Sequence, residues 1–187
     1  MLRTSAPLIG ALGVRDMQRL IDAINTGCAQ GNWYAALYMS LTMPDICSKL
    51  ENPDSKESGK RYRMWFDKYL RPMYKSEFHG PDFHFLSAGD CWALRCSLLQ
   101  EGSGEIAEQK SRQVLSKFQF TTLQIHRCQM EDVLVLNVGM FCGEMTAAVN
   151  NWMRDVQADE KIQERMNSMA TIESQGFSPT KGVRIEG

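Results

Sequence analysis

Arg95 is the residue of this chain best placed to do chemistry, because it stands among Cys91, Leu94 and Leu98 on an apolar helical face. A guanidinium is permanently charged, so burying one demands a carboxylate, a phosphate or several carbonyl oxygens. Gln100 and Glu101 follow it. Gln100 could orient a water or a phosphate oxygen, but it has no titratable proton and cannot supply the proton transfer usually worth ~10²- to 10⁴-fold in rate. Glu101 is ionisable and would need an unusual geometry to stand in. At 100° per residue, Arg95 and Gln100 lie roughly 140° apart around a helix axis. They converge only if the helix end unwinds or a second chain completes the site.

The element that must position Arg95 is legible at both ends. Ser87 occupies an N-cap position, Asp90 lies three residues on in a weak capping box, and Gly102 follows as a stop signal. Asp45 and Asp90 are the carboxylates with which Arg95 would pair if its role is to fix the helix packing. A second candidate surface is the segment from Lys60 to Tyr69, ended by Pro72. Its spacing predicts a helix with Tyr62, Trp65, Phe66 and Tyr69 on one face and Lys60, Arg61, Arg63, Lys68 and Arg71 around it. That pattern fits a core face with a solvated basic fringe, or a platform on which bases stack beside cations, as single-stranded RNA requires. Lys60, Arg61 and Arg63, with Asp45 and Asp90, are the candidate binding residues.

The rest of the chain supplies the frame. Its 187 residues, 43% hydrophobic, suffice for one core. We expect an irregular arm at 1–13, a single helical domain at 14–170 and a mobile tail at 171–187. Helices are expected at about 15–28 and from Trp33 to Leu50, the latter kinked near Thr42 or split there by Pro44. Phe118, Phe120 and Thr122 alternate with polar neighbours, and Val133–Val138 is a β-branched run. Together they predict an antiparallel pair joined by the segment around 124–132. A last helix is expected from about Gly139, extending as far as Met169.

With 21 basic and 22 acidic side chains there is no global field drawing the protein to nucleic acid, so any such contact is local. No apolar run approaches the ~20 residues that cross a bilayer, and the Leu8–Val14 stretch does not read as a signal peptide, so a cytoplasmic protein is expected. Of the six cysteines, five fall within or beside apolar segments and no Cys-x-x-Cys pair occurs, which predicts reduced thiols. His126 and Cys128 have no second pair at zinc spacing, so neither a metal nor a cofactor is expected.

Several blocks carry a resemblance: Asn32-Trp33-Tyr34-Ala35-Ala36-Leu37, Met43-Pro44-Asp45-Ile46-Cys47, Gly59-Lys60-Arg61-Tyr62, Trp65-Phe66, and Ala93-Leu94-Arg95-Cys96-Ser97-Leu98-Leu99. Together they are similar to a family of short bacterial proteins of unknown function that resembles the HEPN superfamily of α-helical bundles. Many HEPN members are metal-independent ribonucleases that use an Arg-x4-His motif assembled at a dimer interface. The resemblance implies a helical bundle, and with the strand signals at 118–122 and 133–138 the expected fold is mainly α, a HEPN-like helical bundle with a small β-hairpin before the last helix. It also implies a homodimer with the 87–101 helix at or near the interface, and a place in a bacterial mobile or defence system with RNA or a nucleotide as partner. Arg95 matches the motif's arginine. Gln100 stands where the histidine would be, so ribonuclease activity is expected to be weakened or absent. The catalytic set implied is Arg95, Gln100 and Glu101. The alternative is a non-enzymatic helical interaction module in which Arg95 is structural. A cysteine hydrolase built on Cys91 or Cys96 with His79, His84 or His126 is disfavoured, because mid-helix burial makes a thiol inert.

Overall fold

Met17, Ile21 and Ile24 recur at helical spacing and are fully buried, which fixes the inner face of α1, Gly10–Ala29. The computed structural model describes residues 10–173 and 175–187, with side chains from Asp16 onward. Residues 10–13 of the expected irregular arm are therefore helical, and residues 1–9 lie outside the described residues. Gly31, at φ +72°, turns the chain into α2, Trp33–Glu51. Pro44 does not split this helix. α2 packs against α1, α3 and α5, and Leu41, Met43 and Cys47 are fully buried around the proline. Contacts on several sides hold the helix through the missing backbone donor.

α3, Ser58–Tyr69, runs into a 3₁₀ turn at Arg71–Tyr74 that Pro72 opens. α4, Ala88–Glu101, has the expected ends: the Ser87 hydroxyl accepts from Asp90 N, and Gly102 sits in the left-handed region at φ 69°. Asn137 caps α5, Val138–Asp155, by accepting from Met140 N at 2.9 Å. The expected long last helix is two. It breaks before Asp159, which caps α6, Glu160–Asn167, by accepting from Ile162 N. Both helices grip the C-terminal end of α2. Trp152 Nε1 donates to Glu51 at 2.8 Å, and Arg165 Nε donates to the Leu50 carbonyl at 2.6 Å, where exposed helix carbonyls favour a cation.

The fold is mainly α, with a small sheet ahead of α5. Strands β1, Lys117–Thr121, β2, Cys128–Met130, and β3, Val133–Asn137, lie in the order β1-β3-β2. The hairpin is β2–β3. The two strands expected to form an antiparallel pair, β1 and β3, run parallel instead, with Phe118 opposite Leu134. The intervening segment is the reason. It crosses the end of β3, where Asn137 Nδ2 donates to the Leu123 carbonyl at 2.8 Å, and returns as β2 on β3's far edge. β3 is thus central, with Leu134 and Leu136 fully buried, which explains its unbroken apolar run. In the expected tail, β4, Phe177–Thr180, pairs with β5, Val183–Ile185, in an exposed hairpin.

All six cysteines are unpaired. Thiol titration in denaturant without reductant is expected to find all six, and fewer than four would overturn this.

Candidate functional site

Arg95 meets its counter-charge inside the chain. Its Nε donates to Asp45 Oδ2 at 2.7 Å, joining α4 to α2, with the two side chains 24% and 21% exposed. Its guanidinium also lies 5.3 Å from the Trp92 ring centroid. Burial pushes the Asp45 carboxyl above its ordinary value, although the charge and hydrogen bond of Arg95 and the charge of Arg61 pull the other way. Arg61 itself is taken up locally, its Nη1 donating to the Ser55 carbonyl in the turn before α3. Gln100 and Glu101 sit exposed at the end of α4, where Glu101 accepts from Ser97 Oγ at 3.4 Å. The structure does not gather Arg95, Gln100 and Glu101 around one point. The apolar width of α4 is also spent within the chain, since Cys91, Leu94 and Leu98 are buried.

Asp90 does something else. It is 1% exposed and does not pair with Arg95. Its Oδ1 accepts from the backbone N–H of Gln113 at 2.7 Å, Val114 at 3.2 Å and Leu115 at 3.4 Å, while Ser87 Oγ donates to Oδ2 at 2.6 Å. A buried carboxylate saturated with donors needs no cation. Gly89 permits this approach, because a Cβ there would lie 2.5 Å from the Ser111 carbonyl oxygen.

The chain segment that Asp90 holds completes one wall of a cleft of about 480 Å³ between α3 and the start of α4. Lys60, Arg63 and Arg71 line it with Asp67, His84 and Gln113, and Ser87, Ala88 and Gly89 form its α4 side. Lys60 lies 3.7 Å from Glu57, and Arg71 lies 3.5 Å from Asp67. Three cations against the carboxylates of Asp67 and the adjoining Glu57 leave the cleft positive by one charge, with Arg63 the lining cation that meets no carboxylate. Of the sequence candidates, Lys60 and Arg63 belong here; Asp90 supports the cleft from behind, and Arg61 and Asp45 do not line it. The aromatic residues expected as a stacking platform point the other way: Tyr62, Trp65, Phe66 and Tyr69 are all buried in the core. Arg71, His84 and Gln113 were missed as site residues. The stripe at 60, 63, 67 and 71 follows helical periodicity and could have been read; the contributions of His84 and Gln113 are tertiary.

A second polar cluster also escaped the sequence. His126 Nε2 lies 2.9 Å from Glu144 Oε1, Arg127 donates to the same oxygen, and His126 Nδ1 accepts from Asn137 N at 3.2 Å. Burial raises the Glu144 carboxyl, but His126, the adjoining Tyr74 hydroxyl and Arg127 together hold it below its ordinary value. This cluster fastens the β1–β2 connection to α5. No histidine is paired with a thiol: His79 Nδ1 contacts Ser76 Oγ at 2.7 Å, and His84 Nδ1 contacts the Asp82 carbonyl at 2.9 Å. Burial pushes the Cys91 thiol up to about 12, with Tyr62 OH 3.4 Å away, so it is not a nucleophile. Among the described residues no three His, Cys, Asp or Glu side chains cluster to hold a metal, and no helix is long and apolar enough to cross a membrane.

No protein-family model, curated protein or solved structure matches this chain.

Removing Arg95 leaves Asp45 largely buried and unpaired. Arg95→Ala is therefore expected to cost about 2 to 3 kcal/mol, less than a fully buried pair because water reaches both partners; an unchanged thermal melt would contradict the tie. Glu144 gives a pH-dependent counterpart. A carboxyl lowered in the folded state adds stability above its ordinary value of 4.5, and that contribution is lost as pH falls through the lowered value. Glu144→Gln should thus be less stable than the parent at neutral pH, with the gap closing in acid. Denaturant midpoints measured across pH will show whether it closes.

Proposed function

We propose that this chain is a HEPN-like protein that binds the phosphate of RNA or of a nucleotide in the α3–α4 cleft, without ribonuclease turnover at Arg95. The observation that carries the reading is the lining of Lys60, Arg63 and Arg71 in a cavity of about 480 Å³. Phosphate contacts by Arg and Lys supply most of the sequence-independent affinity for nucleic acid, and Arg adds bidentate geometry. The helix end contributes less, since Asp90 already places a negative charge in the first turn of α4. The chain's overall charge of −1 agrees with a local site. Turnover has no support in the geometry, because Arg95 is neutralised by Asp45 and Gln100 stands in solvent. The homodimer implied by the resemblance would have to use what α4 leaves partly exposed, Trp92 and Leu99. A place in a bacterial mobile or defence system rests on the same resemblance.

A different surface favours the second reading, a non-enzymatic interaction module. Trp33, Tyr34, Leu37, Leu98, Phe118 and Phe120 line an apolar groove of about 520 Å³, and Tyr34 is 78% exposed.

Fluorescence anisotropy with a labelled single-stranded oligoribonucleotide and a labelled nucleotide tests the first reading. Arg63→Glu with Arg71→Glu should weaken binding at least tenfold and flatten its salt dependence, whereas Tyr34→Ala should leave it intact. Gln100→His is expected to stay inert toward RNA. Cleavage gained in Gln100→His and lost again on adding Arg95→Ala would return the site to Arg95, and no binding by the parent at low salt would favour the interaction module.

A further inference from the structure

Two of the six thiols sit side by side. Cys28, near the C-terminal end of α1, and Cys142, one turn into α5, are in hydrogen-bonding contact, and the buried Ser40 hydroxyl of α2 adjoins Cys142. The backbone explains the meeting. Gly31 N donates to the Cys28 carbonyl at 3.1 Å and Asn32 N to the Gly27 carbonyl at 2.7 Å, so the chain leaves α1 in a tight corner that delivers Trp33 at once. A Cβ on Gly139 would lie 3.6 Å from the Trp33 ring, which lays the first turn of α5 against that corner. Cys142 follows Gly139 at helical spacing, on the same side of α5, and α1 and α5 pack directly.

The two thiols differ in access. Cys142 is 1% exposed, whereas Cys28 is half-buried. Burial pushes the Cys142 thiol up to about 12, with the Cys28 thiol adding to the rise and the Ser40 hydroxyl opposing it. Cys142 is therefore closed to a dissolved oxidant but open to its neighbour, while Cys28 can meet one from solvent. Cys91 and Cys96 face Tyr62 OH and Arg95 instead.

We infer that Cys28 and Cys142 form a disulfide site for oxidation by peroxide, in which Cys28 is attacked first and Cys142 resolves it. Cys28 Sγ, as thiolate, attacks one oxygen of hydrogen peroxide. The O–O bond breaks, Cys28 becomes a sulfenic acid, and the departing hydroxide takes up the proton that Cys28 lost. The Cys142 sulfur then attacks the Cys28 sulfur, the S–OH bond breaks, and that hydroxyl leaves as water with the Cys142 proton. Peroxide is reduced by two electrons to two waters, and two thiols become one disulfide. The bond closes a loop of more than a hundred residues and staples α1 to α5 beside Trp33 and Val138, which line the apolar groove. A cross-link over so long a loop restricts the unfolded chain strongly, so the oxidised protein should melt about 5 to 15 °C higher.

The test treats the native chain with hydrogen peroxide at low protein concentration and maps its peptides by mass spectrometry without reductant. The expected result is one intrachain disulfide joining the Cys28 and Cys142 peptides, two thiols fewer on titration and a raised melting temperature, all reversed by dithiothreitol. Cys142→Ser should stop at the sulfenic acid on Cys28, which dimedone traps, and Cys28→Ser should leave Cys142 reduced. Should either variant fail to fold, the peptide map of the parent decides. Six intact thiols after peroxide, a disulfide joining any other pair or two chains, or Cys28 carried on to sulfinic acid beside a reduced Cys142 each overturns the inference.

Discussion

The Asp90 carboxylate is the contact on which the rest of the arrangement hangs. It caps the first turn of α4 together with Ser87, and it gathers the backbone N–H groups of Gln113, Val114 and Leu115, the segment that leads into β1. One buried anion thus fixes the angle at which the sheet leaves the helical layer and closes one wall of the basic cleft. Hydrogen bonds to a charged acceptor are roughly twice as strong as neutral ones. The arrangement also demands a glycine, because any Cβ at position 89 would collide with the Ser111 carbonyl.

Arg95 and Asp90 share a helix yet divide their tasks. Arg95 faces α2 and is neutralised by Asp45; Asp90 faces the 113–115 segment and is neutralised by N–H dipoles. A direct pair between them would have left both neighbours unfastened. The positive charge left unmatched therefore belongs to α3 and the turn after it, where Lys60, Arg63 and Arg71 meet two carboxylates, Glu57 and Asp67.

The limits of α4 were legible because caps are local: Ser87, Asp90 and Gly102 act within one turn of themselves. Asp45 was one of two carboxylates named as partners for Arg95, and only the packing of α2 on α4 chose between them. The direction of β1 against β3 was misread because two adjacent runs suggest a hairpin by default. The unbroken apolar pattern of Val133–Val138 carried the contrary signal of a strand covered on both sides. The site was half legible. Lys60 and Arg63 were named for their charge, but aromatics on the same helix suggested stacking, whereas their spacing turns them into the core. His84 reached the cleft through the fold of the 75–85 loop, which no periodicity encodes.

The clamp on residues 113–115 also sets the limits within which this chain can change length. Upstream, Ser97 Oγ holds the Glu105 carbonyl at 2.6 Å and Ile106 is buried; downstream, Asp90 holds Gln113. Between these two anchors Glu108 and Lys110 are exposed. Lengthening a loop whose ends are already pinned costs only about 0.6 kcal/mol per doubling. This short span is therefore a graft point, where a reporter or an added peptide can be carried beside the cleft without disturbing the frame that shapes it.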